Sequence, residues 1–199
     1  MKRSILSILL CLAIAGVASA ATYDIDASHT QVQFTYNHFG FSHLNGRLNQ
    51  VTGHFDFNPA KPASSSVEVD IPMSSLSTGV PKLDTHLSSA EFFDVAKFPT
   101  AHFKSNKVTV AGKNKLVVAG DLTIHGVTKP VRLDVTINNT GMHPMKKVIA
   151  AGFDASTTLK RSDFGVGGYT PMIADEVRLN ISMEAQEPKK EDKDAKKAG

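Results

Sequence analysis

From residue 31 onward, apolar and polar side chains alternate with a period of two, the mark of strands that bury one face and solvate the other. The stretch "QVQFTYNH" sets Val32, Phe34, Tyr36 and His38 against Gln31, Gln33, Thr35 and Asn37. "TGHFDFNP" puts Phe55 and Phe57 on one face before Asn58-Pro59 stops the run, and "SVEVDIPM" does the same with Val67, Val69, Ile71 and Met73. The pattern returns around Phe103 and then in four more runs. These are Leu116, Val118, Leu122 and Ile124; Val131, Leu133, Val135 and Ile137; Ile149, Ala151, Phe153 and Ala155; and Val177, Leu179, Ile181 and Met183. That predicts about eight strands, separated by turn-rich stretches such as "AGKN", "HGVTKP", "NNTGMHP" and "DFGVGGYTP".

One segment has a different period. "VPKLDTHLSSAEFFD" places Leu83, Leu87, Ala90 and Phe93 at helical spacing, with Pro81 suited to a first turn. The spacing predicts one or two helical turns between 81 and 94, laid across the sheet as a lid or plug and ended ahead of Pro99. Many half-apolar antiparallel strands with a single helix allow a sandwich or a closed barrel. The interior of an eight-stranded barrel is filled by side chains or holds one small ligand. Gly53, Gly120 and Gly152 stand where a tightly filled core would want bulk, which favours a cavity, but a fully packed interior fits the alternation equally well.

Composition narrows the rest. Residues 1–20 have a basic start, an apolar run and a small-residue stop at Ala18-Ser19-Ala20, the form of a cleaved export signal, so a periplasmic or secreted protein is expected. The apolar run is too short for a membrane anchor, and Cys11 follows Leu10 where lipidation would need a small residue. The chain from Ala21 onward has no cysteine, so disulfides and thiolate chemistry are excluded there; at about 165 residues it can stand on one core, residues 21–187. The net charge of +3 comes from the ends. Removing Lys2 and Arg3 with the leader, and five Lys and three Asp/Glu with the tail 188–199, leaves 15 basic and 16 acidic groups. That balance lacks the basic excess a phosphate backbone demands, so no nucleic-acid partner is expected. The Lys-rich tail has nothing to bury and reads as disordered.

Eight His are spread singly, without HExxH or HxH spacing. There is no GxSxG, and "GVGG" at 165–168 lacks the lysine and the strand-to-helix context of a phosphate loop. His38 lies in line with Phe34 and Tyr36, either as a half-buried side chain near a barrel mouth or as a polar handle for a ligand. An enzyme reading would place His29, His38, His43, Arg161 and Asp163 at that mouth as acid–base groups, although Arg161 and Asp163 suit a role in pinning their own turn. The pair His125-Gly126 in "GDLTIHGVTKPV" reads as a two-residue hairpin corner, because both residues tolerate positive φ. That register puts Lys129 opposite Leu122, so either Lys129 reaches out at the rim or Pro130 marks a bulge.

Four stretches together resemble the YceI family. They are "YDIDASHTQVQFTYNHFGFSHLNGRLNQVTGHFDFNP", "HLSSAEFFDVAKFPTAHFKS", "GDLTIHGVTKPV" and "KRSDFGVGGY", in that order from about Tyr23 to Glu184. Leu48 stands where the family tends to carry an aromatic residue, and the tail lies outside the pattern. The resemblance implies an all-β, eight-stranded antiparallel, lipocalin-like barrel with one short helix. It also implies a polyisoprenoid or related lipid-like chain in the lumen, no catalytic activity common to the family, no metal and no other cofactor. The implied lining is Phe34, Tyr36, Phe55, Phe57, Val69, Ile71, Leu87, Phe92, Phe93, Phe103, Leu122, Leu133, Val135 and Phe153, and His38, in line with the first two, joins them as a candidate ligand-binding residue. Burying a chain yields about 0.8 kcal/mol per methylene, while association costs about 4–15 kcal/mol. A useful ligand is therefore an isoprenoid or acyl chain well beyond about ten carbons. Whether the protein forms a homodimer is left open, because a closed barrel has no free edge to force pairing.

Overall fold

The computed structural model describes residues 21–188, so the expected export signal and most of the Lys-rich tail lie outside the described residues. Ten strands form one antiparallel sheet: β1 (Ala21–Ile25), β2 (Gln31–His38), β3 (Ser42–Leu48), β4 (Thr52–Phe57), β5 (Ser66–Pro72), β6 (Thr100–Gly112), β7 (Lys115–Ile124), β8 (Val127–Met142), β9 (Ile149–Lys160) and β10 (Glu176–Gln186). The single α-helix, α1, spans Pro81–Ser88. Neighbours run β1-β4-β5-β6-β7-β8-β9-β10, and β10 returns to β1 through Asp24↔Gln186 and Ile25↔Ala185. This closes an eight-stranded barrel.

The remaining two strands, β2 and β3, form a hairpin that extends one end of the wall. β2 pairs with β10 from Arg178 to Ser182, just beyond the stretch that β1 occupies. The outer edge of β3 is covered where Arg47 and Ser77 exchange both backbone hydrogen bonds, each 2.9 Å, so the segment leading into α1 completes that side.

Alternation locates the strands, but β1 and β3 lack a strong signal. β1 is five residues long, and in β3 only Leu44 and Leu48 are large and apolar. The sheet accepts β3 because Phe34 lies opposite Gly46. A Cβ on Gly46 would sit 2.2 Å from the Phe34 ring, so the ring lies across a position that has no side chain. Gly120 plays the same part for Phe103, with a Cβ there 2.6 Å from the ring and 2.4 Å from the Lys104 carbonyl oxygen. Gly120 therefore opens no space in the lumen; an aromatic ring has taken it.

The helix makes about two turns within the stretch its spacing predicts. Pro81 takes the first turn as expected, but the helix stops at Ser88 and turns follow through to Phe98. Leu87 and Phe92 are buried, whereas Ala90 is exposed. The main core joins Tyr23, Phe55, Phe57 and Phe153. Tyr23 stacks on Phe55 at 5.0 Å, and Phe153 meets Phe55 and Phe57 edge-on at 5.2 and 5.3 Å. Each such side chain contributes about 1.5–3 kcal/mol through burial.

Candidate functional site: two adjoining apolar cavities

Two cavities follow one another along the barrel and share Val32, Ile71, Leu122 and Leu179 in their walls. The narrower holds about 150 Å³. Inward residues of β4 to β10 line it, and its polar side chains are the hydroxyls of Thr30, Ser65, Ser66 and Thr157. The wider holds about 410 Å³ and is walled by β2, β3, α1 and the turns after β9. Phe39 and Tyr169 line it and are also 45% and 47% exposed, so the wide cavity opens to solvent between the β2–β3 turn and the loop carrying Tyr169. The narrow cavity, walled almost wholly by carbon, is of the kind that stays dry unless an apolar molecule enters.

All fifteen candidate ligand-binding positions lie in the wall of one cavity or the other. Phe34, Tyr36, His38, Leu87, Phe92 and Phe93 line the wide one. Phe55, Phe57, Val69, Phe103, Leu133, Val135 and Phe153 line the narrow one, and Ile71 and Leu122 belong to both. Phe92 and Phe93 both point inward because the helix has already ended before them. Arg161, a mouth residue only in the enzyme reading, lies in the wall of the wide cavity together with the buried Phe164 and Val166, which alternation along strands does not single out. Their signal was present in "KRSDFGVGGY", where a large apolar residue sits in a turn.

That turn is held by hydrogen bonds. The Arg161 guanidinium donates from Nε to the Ala174 carbonyl at 2.8 Å, from Nη1 to Val166 and Gly168 at 2.9 and 2.7 Å, and from Nη2 to Ile173 at 2.9 Å. The carboxylate in this turn is Asp175, not Asp163: it accepts from the Ser162 backbone N–H at 2.8 Å and from its hydroxyl at 2.6 Å, while Asp163 is exposed. Burial lowers the Arg161 pKa, and Asp175 at longer range counters it. Burial likewise raises the Tyr36 pKa, with Arg161 opposing.

The corner His125-Gly126 has φ of 52° and 74°, with Ile124 opposite Val127 and Leu122 opposite Lys129. The ladder runs unbroken through Pro130, so there is no bulge; Lys129 is exposed. His125 packs edge-on against Phe98 at 4.6 Å, and its Nδ1 lies 3.3 Å from the Phe164 carbonyl oxygen. The corner thus braces the turn that Arg161 organises.

The five groups of the enzyme reading do not meet. His38 and Arg161 line the wide cavity, and His43 is exposed on the outside of β3. His29 bonds Asp26 in the β1–β2 connection, near Glu184. Asp26, His29 and Glu184 form the one cluster of possible metal ligands among the described residues, and the Lys146 ammonium already bonds Asp26.

A closed antiparallel barrel around an open-mouthed, largely apolar lumen is an architecture that can enclose an apolar molecule. The sequence profile of the YceI-like domain matches residues 23–185. A UPF0312 protein of Pseudomonas savastanoi pv. phaseolicola is 39% identical over 193 residues, spanning 95% of this chain and all of that relative. Another from Vibrio cholerae is 38% identical over 83% of this chain and 89% of its own. Among solved structures, Burkholderia cenocepacia BcnA superposes with a TM-score of 0.73 at 28% identity, covering 81% of this chain and 99% of BcnA. The Campylobacter jejuni YCEI protein does so at 0.69 and 29%, covering 76% and 90%. A polyisoprenoid binding domain from Saccharophagus degradans shares the fold at 0.65 and 14% identity, over 84% of this chain and 99% of that domain. The chain belongs to the YceI family.

Proposed function

We propose that the protein binds a long apolar chain (a polyisoprenoid, an isoprenoid quinone or a similar lipid) in the barrel lumen and serves as its carrier or reservoir in the periplasm or outside the cell. The observation that carries this reading is the pair of adjoining apolar cavities. The wider cavity, at about 410 Å³, lies within the roughly 300–1,000 Å³ typical of ligand pockets. The narrower one continues it inward, as an elongated ligand requires. Support also comes from the fold shared with a domain described as polyisoprenoid binding. The dispersal of His29, His43 and Asp163 away from His38 and Arg161 favours binding over catalysis. Native mass spectrometry of protein purified from its own host tests the reading. An adduct that organic solvent extracts as a long apolar chain supports it. Protein that arrives without ligand and takes up no long-chain probe contradicts it.

A further inference from the structure

The lumen-binding reading leaves the polar end of the ligand undefined, and the walls of the two cavities differ in a way that bears on it. The narrow cavity offers only uncharged hydroxyls, one of which, Ser65 Oγ, is buried without a partner. A charged head group placed there would lose its hydration with no countercharge to replace it. The wide cavity has no Asp or Glu in its wall; its polar residues are Tyr36, His38, His86, Arg161 and Tyr169.

Two of these five are already committed. The Tyr169 hydroxyl donates to Glu91 Oε1 at 2.6 Å, and His86 lies 3.8 Å from the other Glu91 oxygen. The other three are available. Among the described residues no protein group is hydrogen-bonded to the Tyr36 hydroxyl, and the His38 imidazole makes only a ring contact with Phe39. Arg161 uses four of its five N–H groups on carbonyls, which leaves the second N–H of Nη2. Those carbonyls are neutral, and Asp175 is engaged by Ser162, so Arg161 keeps a positive charge in the wall without a carboxylate bonded to it. Arg161 and Tyr36 share the wall of this one cavity.

We propose that the wide cavity selects chains that end in an anionic head group, a carboxylate or a phosphate monoester, held by Arg161 and the Tyr36 hydroxyl beside the mouth while the apolar tail fills the narrow cavity. This deepens the lumen-binding reading and rests on it. A charged acceptor gains short, charge-assisted bonds from Arg161 and Tyr36. A neutral hydroxyl head gains weaker ones, and a cationic head meets Arg161 with like charge. A carboxylate identifies a fatty acid, a phosphate a lipid phosphate; their shared chemistry is what the site reads.

The test uses protein purified from its host and stripped of lipid, titrated calorimetrically with palmitate, hexadecyl phosphate, hexadecanol and hexadecyltrimethylammonium. The titration is run at about pH 7.5, where the Arg161 guanidinium carries its charge. Palmitate or hexadecyl phosphate is expected to bind at least about tenfold tighter than hexadecanol, with the cation weakest. The nearly isosteric Tyr36→Phe, checked for an unchanged melt, narrows that gap by about threefold or more. Equal affinity for all four heads, a preference for the cation, or a gap unchanged in Tyr36→Phe overturns the proposal while the lumen reading stands. Failure of all four probes to bind overturns the lumen reading itself.

Discussion

Replacing Ala155 by Leu separates a hollow barrel from a filled one by the sign of its effect. Ala155 lies on β9 and lines the narrow cavity of about 150 Å³. An unfilled apolar void costs about 24 cal/mol per Å³, which puts a ceiling of about 3.6 kcal/mol on what filling this one can return. Leucine adds three carbons, worth about 2.4 kcal/mol when buried. The expectation is that lipid-free Ala155→Leu gains about 2 kcal/mol, a rise of about 4–8 °C in Tm for a domain of this size. In a packed core the same substitution would cost about 1–3 kcal/mol. Because the added carbons occupy space intended for the ligand, affinity for a long chain should fall by about 50-fold, the equivalent of three lost methylenes. Urea and thermal unfolding of delipidated protein read the first effect, and titration with a long-chain probe reads the second. A destabilised variant that binds the chain as well as the parent would refute the reasoning.

Gly120→Ala places a Cβ 2.4 Å from the Lys104 carbonyl and 2.6 Å from the Phe103 ring, so a loss of about 1–3 kcal/mol is expected in equilibrium denaturation. Arg161→Met removes the donors to four carbonyls at once; the expected loss is about 3 kcal/mol, with hydrogen exchange accelerated across residues 162–175. Burial of Asp26 disfavours its charged form, but bonds from Lys146, Ser28 and His29 outweigh that and hold its carboxyl well below the usual carboxylate range. A lowered folded pKa contributes stability that is fully present above the unfolded value of about 3.9 and is lost as pH falls toward the folded one. Lys146→Met should therefore cost about 1 kcal/mol at neutral pH, with the difference from the parent shrinking below about pH 4 in an acid titration of stability.

Much of the barrel can be read from alternation because a strand with one buried face must show it. The strands that escaped are those whose place is set by partners. β1 is too short for a pattern, and β3 carries a glycine where Phe34 from the neighbouring strand fills the face. The helix was legible from Leu83 and Leu87, whereas Ala90 and Phe93, which continue that spacing, lie past its end: the chain turns after Ser88 and presents Phe92 and Phe93 by other geometry. Gly120 pointed to hollowness for the wrong reason: it is a slot for the Phe103 ring, and the free volume lies elsewhere. Inward-facing positions followed from parity along each strand. Arg161 pins its turn as expected and also lies in the cavity wall, whereas the entry of Phe164 and Val166 into that wall depends on a loop fold that spacing does not encode.

The most direct test of an apolar-chain lumen is the dependence of affinity on chain length, measured by calorimetry with linear carboxylates below their micellar concentrations. Each added methylene that enters the two cavities should tighten binding by about 0.8 kcal/mol, or roughly fourfold, until the lumen is full and the slope falls to near zero. Affinity that does not change with chain length, or no binding at any length, would contradict the account.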